Sequence, residues 1–143
     1  MTGLMDLQFP AFLWQEGYCY LALTPIELCA HPRSMFRQTV QTARSKAVHL
    51  LDASGRQFKV NDWVKVRPFG GARMLGYLLL GSVFARPTLA SECQLTLPEF
   101  KEKLASAVRS RYRFDTDKGA EAEIVSRLDD ATSFRSALNA LRL

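Results

Sequence analysis

Histidine is scarce in this 143-residue chain, which contains only His31 and His49. Acyl transfer needs a nucleophile, a base and a third group that orients the base. His31 stands beside a proline in a predicted loop, and His49 is an outward-facing alternate of a predicted strand, so neither is placed among such partners. Ser54 also lies outside a Gly-x-Ser-x-Gly turn. The sequence therefore predicts no catalytic residues and a protein that is not an enzyme.

Cysteine is equally sparse, with three residues and no closely spaced pair. An odd number without such spacing argues against a disulfide framework and is typical of reduced, buried thiols. Cys29 and His31 offer two metal ligands, whereas a zinc site needs three or four protein ligands. We therefore expect neither a metal nor a cofactor.

Long apolar runs are also missing. The longest, Leu75–Phe84, is about half of the ~20 residues that a transmembrane helix requires, so it predicts a buried strand. The N-terminus lacks a positively charged leading region, and Asp6 interrupts its apolar stretch. These features predict a cytoplasmic protein that does not interact with a membrane.

The glycines at Gly70 and Gly71 do not form a phosphate-binding loop. Such a loop lies between a strand and a helix, with Gly-x-Gly-x-x-Gly spacing or a Lys-Ser or Lys-Thr ending. Here the segment Arg67–Arg73 has neither spacing and precedes the predicted strand Leu75–Phe84. The sequence thus indicates a flexible connection and argues against nucleotide binding.

Acidic residues are few in the middle of the chain, where residues 31–75 hold nine Lys or Arg against Asp52 and Asp62. Residues 1–30 hold three acids and no Lys or Arg. The positive field therefore belongs to the middle third, and charge asymmetry of this kind bears on partners and association rates rather than on fold.

Two capping boxes predict where helices begin. In Thr24-Pro25-Ile26-Glu27 and in Thr96-Leu97-Pro98-Glu99, a hydroxyl and a carboxylate three residues apart can satisfy free backbone N–H groups, and proline suits the first turn. After the second box, Phe100, Leu104 and Val108 recur every four residues as an apolar stripe. Later apolar spacing predicts two more helices, near residues 119–128 and 134–141.

Residues 47–60 predict a β-hairpin. The segments Ala47–Leu51 and Arg56–Val60 alternate between apolar and polar residues, and Asp52-Ala53-Ser54-Gly55 has the form of a type I turn that closes with a left-handed glycine. Two further strands, Phe12–Gln15 and Tyr18–Leu23, flank Glu16-Gly17.

The order of elements favours one α+β domain over residues 1–143. Strands come first and helices last, so we expect a mainly antiparallel sheet with the C-terminal helices packed on one face. Parallel crossovers would need helices between the strands, which the central region lacks. The length and the 48% hydrophobic content suit a single folded domain.

The basic middle third supplies the candidate site. We predict that the chain binds another protein with an acidic face, with Trp63 as the aromatic anchor, because Trp and Arg carry much of the energy at interfaces. The predicted contact residues are Arg56, Lys59, Trp63, Lys65, Arg67 and Arg73. The alternative is a nucleic-acid-binding module that uses the same residues, since aromatic side chains among cations stack single-stranded bases.

The hairpin Leu50–Val60, the Gly76-Tyr77 pair, the helix start at Thr96–Glu99 and the final helix Phe134–Leu141 follow an order that resembles small bacterial proteins similar to the immunity partners of polymorphic or contact-dependent toxins. The resemblance covers roughly residues 20–143. It implies a non-enzymatic protein that covers or locks a cognate toxin. Immunity proteins against nucleases are often acidic, so this basic chain departs from them and implies a partner with an acidic face.

Overall fold

The structure is a computed structural model that describes residues 6–15, 18–67, 76–77, 79–111 and 118–142. Its strands are β1 (Ala11–Gln15), β2 (Tyr18–Ala22), β3 (Ala30–Pro32), β4 (His49–Leu51), β5 (Arg56–Lys65) and β6 (Ser82–Gln94). Its helices are α1 (Pro25–Cys29), α2 (Arg33–Ser45), α3 (Leu97–Arg111), α4 (Lys118–Asp129) and α5 (Phe134–Asn139). The strands form one sheet in the order β2-β1-β4-β5-β6-β3, and every neighbouring pair is antiparallel.

Side-chain alternation divides the sheet into two buried faces. Leu50, Phe58 and Val60 point to one face, where α1 and α2 cover them. Phe12 and Leu51 point to the other face, where the C-terminal helices cover them. The predicted α+β fold with C-terminal helices on one face is confirmed. The structure adds α2 as a second layer on the opposite face.

The apolar stripes of the C-terminal helices make most of the core on their side of the sheet. Phe100 and Leu104 of α3 are fully buried, as are Leu128 of α4 and Leu138 of α5. Phe100 meets the ring of Phe134 edge-on, with centroids 5.1 Å apart. The every-fourth-residue spacing thus placed the buried stripe of α3 correctly.

The predicted capping box at Thr96 is present, whereas at Thr24 only the hydroxyl half of the predicted box forms. Thr24 Oγ1 accepts a hydrogen bond from the Glu27 backbone N–H, and the Glu27 carboxylate accepts one from Leu23, one residue before the cap. At α3, the Thr96 N–H donates to Glu99 Oε1 at 3.1 Å while the Glu99 N–H donates to Thr96 Oγ1. These contacts fix the helix starts, because they satisfy N–H groups that have no partner within the helix.

The hairpin between β4 and β5 also forms as predicted. Gly55 has φ +85°, and its N–H donates to the Asp52 carbonyl at 3.1 Å. Leu95 N–H donates to the Gly55 carbonyl at 2.9 Å, which ties the turn to the end of β6. A β-carbon at Gly55 would lie 2.5 Å from the Phe134 ring, so glycine is required here by space as well as by backbone conformation.

The prediction of a buried strand over Leu75–Phe84 is correct only at its end, where Ser82–Phe84 begin β6 and Phe84 is buried. Gly76, Tyr77 and Leu79 are helical, and the N–H of Leu80 donates to the Gly76 carbonyl at 3.2 Å. Leu79 and Leu80 are 81% and 84% exposed. Apolar content alone therefore did not distinguish a core strand from an exposed turn.

Pro87 lies within β6, opposite Trp63 of β5. Proline interrupts a strand that is paired on both sides, since it has no N–H to donate. β3 pairs only with Ser82–Phe84. After Phe84, the side of β6 that faces away from β5 has no neighbouring strand in the described sheet. Pro87 can therefore lie within the strand.

Candidate interaction surfaces

The Asp52 carboxylate is completely buried and is the centre of a hydrogen-bonded cluster at the hairpin turn. Its Oδ1 accepts from the Ser54 N–H at 3.0 Å, the Ser54 hydroxyl at 2.6 Å and the Arg56 N–H at 3.1 Å. Its Oδ2 accepts from the Gln8 N–H at 3.2 Å and from Arg56 Nη2 at 2.8 Å. Asp52 thus joins the N-terminal segment to the turn.

The guanidinium of Arg56 is used inside the molecule. Its Nε donates to Ser54 Oγ at 2.8 Å, its Nη1 to Glu92 Oε1 at 3.0 Å, and its Nη2 also to the Asp6 carbonyl at 2.7 Å. Its side chain is 21% exposed. The structure therefore places this predicted contact residue in a structural ion-pair cluster, and it has little donor capacity left for a partner.

Trp63 is 4% exposed and packs in the core under α2, so the prediction that it anchors an exposed contact surface is corrected. Its ring lies edge-on to the His31 ring, with centroids 4.4 Å apart. The centroids of the His31 and Phe36 rings are 5.8 Å apart. The Lys65 ammonium sits 5.6 Å from the Phe36 ring centroid. Trp63, His31 and Phe36 therefore form a row of contacting rings. The row ends at the surface, at the ammonium of Lys65.

Lys59 and Lys65 are both exposed but lie on opposite faces of the sheet. Lys59 alternates with the buried Phe58 and Val60, so it points towards the face that the C-terminal helices cover. Lys65 reaches Phe36 of α2 on the other face. Arg73 lies outside the described residues. The six predicted contact residues therefore do not form one surface.

Lys65 and Arg67 belong to a surface that we call the basic–apolar end. The N–H of Arg33 donates to the Gly81 carbonyl at 3.3 Å, which brings the start of α2 to the residue after Leu80. The N–H of Val66 donates to the Phe84 carbonyl at 2.9 Å, which holds Arg67 beside the start of β6. The basic–apolar end consists of Arg33, Met35, Lys65, Arg67, Leu79 and Leu80.

Charge and apolar surface coincide at the basic–apolar end. Arg33, Lys65 and Arg67 are exposed, and Met35 is 54% exposed beside them. The nearby acid Asp62 is already paired with Arg44 at 3.1 Å. The exposure of Met35, Leu79 and Leu80 was not predicted from the sequence, because large apolar residues are expected to be buried until the fold shows otherwise.

The two histidines are on opposite faces and do not form a joint site. Burial lowers the pKa of His31 to about 4, although a hydrogen bond to the Ala85 backbone opposes the shift. Burial also lowers the pKa of His49, and the charges of Lys103 and Lys59 lower it further. Among the described residues, no three His, Cys, Asp or Glu side chains gather as metal ligands.

No protein-family model matches the chain, and neither a curated protein nor a solved structure is detectably similar to it. Within the described ranges, no helix combines the length and the apolar character needed to cross a bilayer.

Proposed function

We propose that this chain is a non-enzymatic domain that binds another protein, and that it contacts an acidic face of that partner through the basic–apolar end. The observation that carries the proposal is the exposure of Leu79 and Leu80, at 81% and 84%, beside exposed cations. Exposed apolar groups with a charged surround are typical of protein-binding sites.

The charges determine the kind of partner. Within the described part of the chain, Arg33, Lys65 and Arg67 form no ion pair, and a cationic patch accelerates encounter with an acidic surface. The leucines would then supply the apolar contact that slows dissociation. Neutralisation of a toxin is the finer form of the proposal, and it rests on the resemblance to immunity proteins.

The first test is co-expression with the protein encoded by the adjacent gene, followed by size-exclusion chromatography. We expect the two chains to elute as a stoichiometric complex. In Leu79→Ser/Leu80→Ser, affinity should fall at least about tenfold, since both side chains lie at the surface and the substitution leaves the core unchanged. Arg109→Glu, at an exposed position of α3 away from this surface, is the control and should bind normally.

The contribution of charge is tested with Arg33→Glu/Arg67→Glu. We expect mainly slower association, and the difference from the unmodified protein should shrink as salt is raised. Unchanged binding by both double variants would reject this surface.

Nucleic-acid binding is the competing outcome. Binding to single-stranded or duplex oligonucleotides at about 50 mM salt, with a steep loss by about 200 mM, would favour it. The alternative relied on Trp63 and Phe69 for base stacking, and the burial of Trp63 removes the first of them, while Phe69 lies outside the described residues. Absence of oligonucleotide binding even at low salt would reject the alternative.

A further inference from the structure

Trp14, His49 and Lys59 lie directly opposite one another on three adjacent strands. Trp14 pairs with His49 across β1 and β4, and His49 pairs with Lys59 across β4 and β5. The rings of Trp14 and His49 are 5.1 Å apart at their centroids. Residues paired in this way share one face, so the three side chains form a row beside the C-terminal helices.

Gln57 lies in the next row of the same face, opposite Leu51 and Cys93. Three polar atoms of this region are buried without a hydrogen-bond partner, namely Trp14 Nε1, His49 Nδ1 and Gln57 Oε1. A buried polar group without a partner costs about 1–3 kcal/mol, and most proteins satisfy nearly all such groups. Three of them in neighbouring positions therefore indicate a polar site rather than a well-packed core.

Two lysines lie near His49. Lys59 on β5 is exposed and Lys103 on α3 is half-buried. Both are close enough to His49 for their charges to lower its pKa. Within the described part of the chain, neither amine forms an ion pair. The carboxylate of Glu99, one turn before Lys103 on α3, lies close enough for Lys103 to lower its pKa, so it offsets part of this positive charge and an added anion would offset more.

We propose that the His49 patch, which consists of Trp14, His49, Gln57, Lys59 and Lys103, binds an oxyanion of the carboxylate or phosphate type. An ammonium and an indole N–H can only donate hydrogen bonds, so Lys59, Lys103 and Trp14 select an acceptor. Neutral His49 can add a donor. The unpartnered atom of Gln57 is its amide oxygen, an acceptor, so Gln57 donates to an anion only when its amide is turned by 180° to present the NH₂ group. The same positively charged and hydrogen-bond-donating groups disfavour a metal cation.

The proposal is independent of the basic–apolar end, because Lys59 and Lys65 lie on opposite faces of the sheet. An oxyanion can reach the His49 patch as a free small molecule or as an acidic side chain of a protein. Both sources offer the same kind of negatively charged oxygen. Inorganic phosphate and an acidic peptide, used as separate probes, distinguish them.

The test uses the two histidines as reporters in NMR titrations of the full chain. Inorganic phosphate is added at constant ionic strength, and the imidazole signals are followed against pH. We expect the pKa of His49 to rise in a saturable manner, because a bound anion offsets the two lysine charges. His31 packs between Trp63 and Phe36 on the opposite face, so its pKa should not respond.

Lys59→Gln and Lys103→Gln should each weaken phosphate binding at least about threefold, as expected for the loss of one charged contact. Each variant should also raise the pKa of His49 before any anion is added. Lys46→Gln is the control, since Lys46 is an exposed lysine that follows α2. Circular dichroism verifies that all three variants are folded.

The source of the oxyanion is tested with a glutamate-rich peptide in place of phosphate. A larger response to the peptide than to phosphate, lost in Lys59→Gln/Lys103→Gln, supports an acidic protein surface. A larger response to phosphate supports a free anion. The proposal is overturned if His49 does not respond to either probe, if the double variant responds as strongly as the unmodified protein, or if His31 shifts equally.

Discussion

Asp52 and Arg56 form an ion pair in which Oδ2 and Nη2 are 2.8 Å apart, with the carboxylate completely buried and the guanidinium at the surface. The pair spans the turn between β4 and β5. Because Asp52 also accepts from Gln8 and Arg56 also donates to Glu92, the pair connects the N-terminal segment, the hairpin and β6. The Asp52–Arg56 ion pair at the hairpin turn therefore stabilises the fold.

Asp52→Asn should lower the free energy of unfolding by about 3–5 kcal/mol, the usual effect of breaking a buried ion pair. The substitution keeps the size of the side chain but removes the charge opposite Arg56, and its NH₂ group faces donors that need an acceptor. Chemical denaturation measures the loss. Asp130→Asn, at an exposed position, is the control and should be nearly neutral. A loss below about 1 kcal/mol for Asp52→Asn would contradict the structural role.

Gly55→Ala and Gly81→Ala distinguish the two reasons for which a position requires glycine, namely a positive φ and a lack of space for a β-carbon. Gly55 has φ +85° and Gly81 has φ +79°, so alanine should cost about 1–2 kcal/mol at either position for its backbone conformation alone. Only at Gly55 does the added carbon also meet the Phe134 ring, at 2.5 Å. We therefore expect Gly55→Ala to lose a further 1–3 kcal/mol or so, measured by denaturation.

The same clash predicts coupling between Gly55 and Phe134. In Gly55→Ala/Phe134→Ala, the ring that the new methyl group meets is absent, so the combined loss should be smaller than the sum of the two single losses. Additive losses would show that the ring moves aside freely.

Stability should fall as the pH is lowered, in part through His31. Above its ordinary pKa of 6.5, His31 is neutral in both states and makes no pH-dependent contribution. Between pH 6.5 and about 4 the unfolded chain binds a proton that the folded chain excludes, so the free energy of unfolding decreases, by up to about 3 kcal/mol from this residue.

His31→Phe isolates this contribution, since carboxylates and His49 titrate in both proteins. The measurement is the difference in unfolding free energy between the two proteins from pH 7 to pH 4. We expect the variant to lose less stability over that interval. Parallel pH profiles would show that His31 can be protonated within the fold.

The three thiols should react at different rates with an aromatic disulfide reagent. Cys93 is exposed and should react on mixing, whereas Cys19 is half-buried and slower. Burial raises the pKa of Cys29 to about 12, so at pH 8 its thiol is protonated as well as inaccessible. Cys29 should react only when the chain unfolds. Cys93→Ser should remove the fastest phase alone, and rapid labelling of both remaining thiols in that variant would contradict the burial of Cys29.

Local sequence patterns predicted much of the fold. The Thr24 cap, the capping box at Thr96, the left-handed Gly55 and the stripe from Phe100 to Val108 depend on contacts within a few residues, so their spacing is visible in the sequence. The alternation around Leu50 and Phe58 likewise predicted the hairpin, although β5 continues to Lys65.

The candidate site was less predictable. Trp63 and Leu79 are both large and apolar, yet the first is buried under α2 and the second is exposed. Arg56 and Lys65 are both cations of β5, yet one is held by Asp52 and Glu92 while the other lies over Phe36 at the surface. These assignments depend on which element covers each face, and the positions of α2 and β6 are set by packing between distant parts of the chain.

The sequence by itself determined the α+β class, the helix starts, the hairpin and the basic character of the middle third, because each follows from short-range spacing or from composition. Only the tertiary structure decided which cations remain at the surface, which aromatic residue enters the core, and that Trp14, His49 and Lys59 share one row. Burial and cross-strand pairing are relations between residues far apart in sequence, and no local pattern records them.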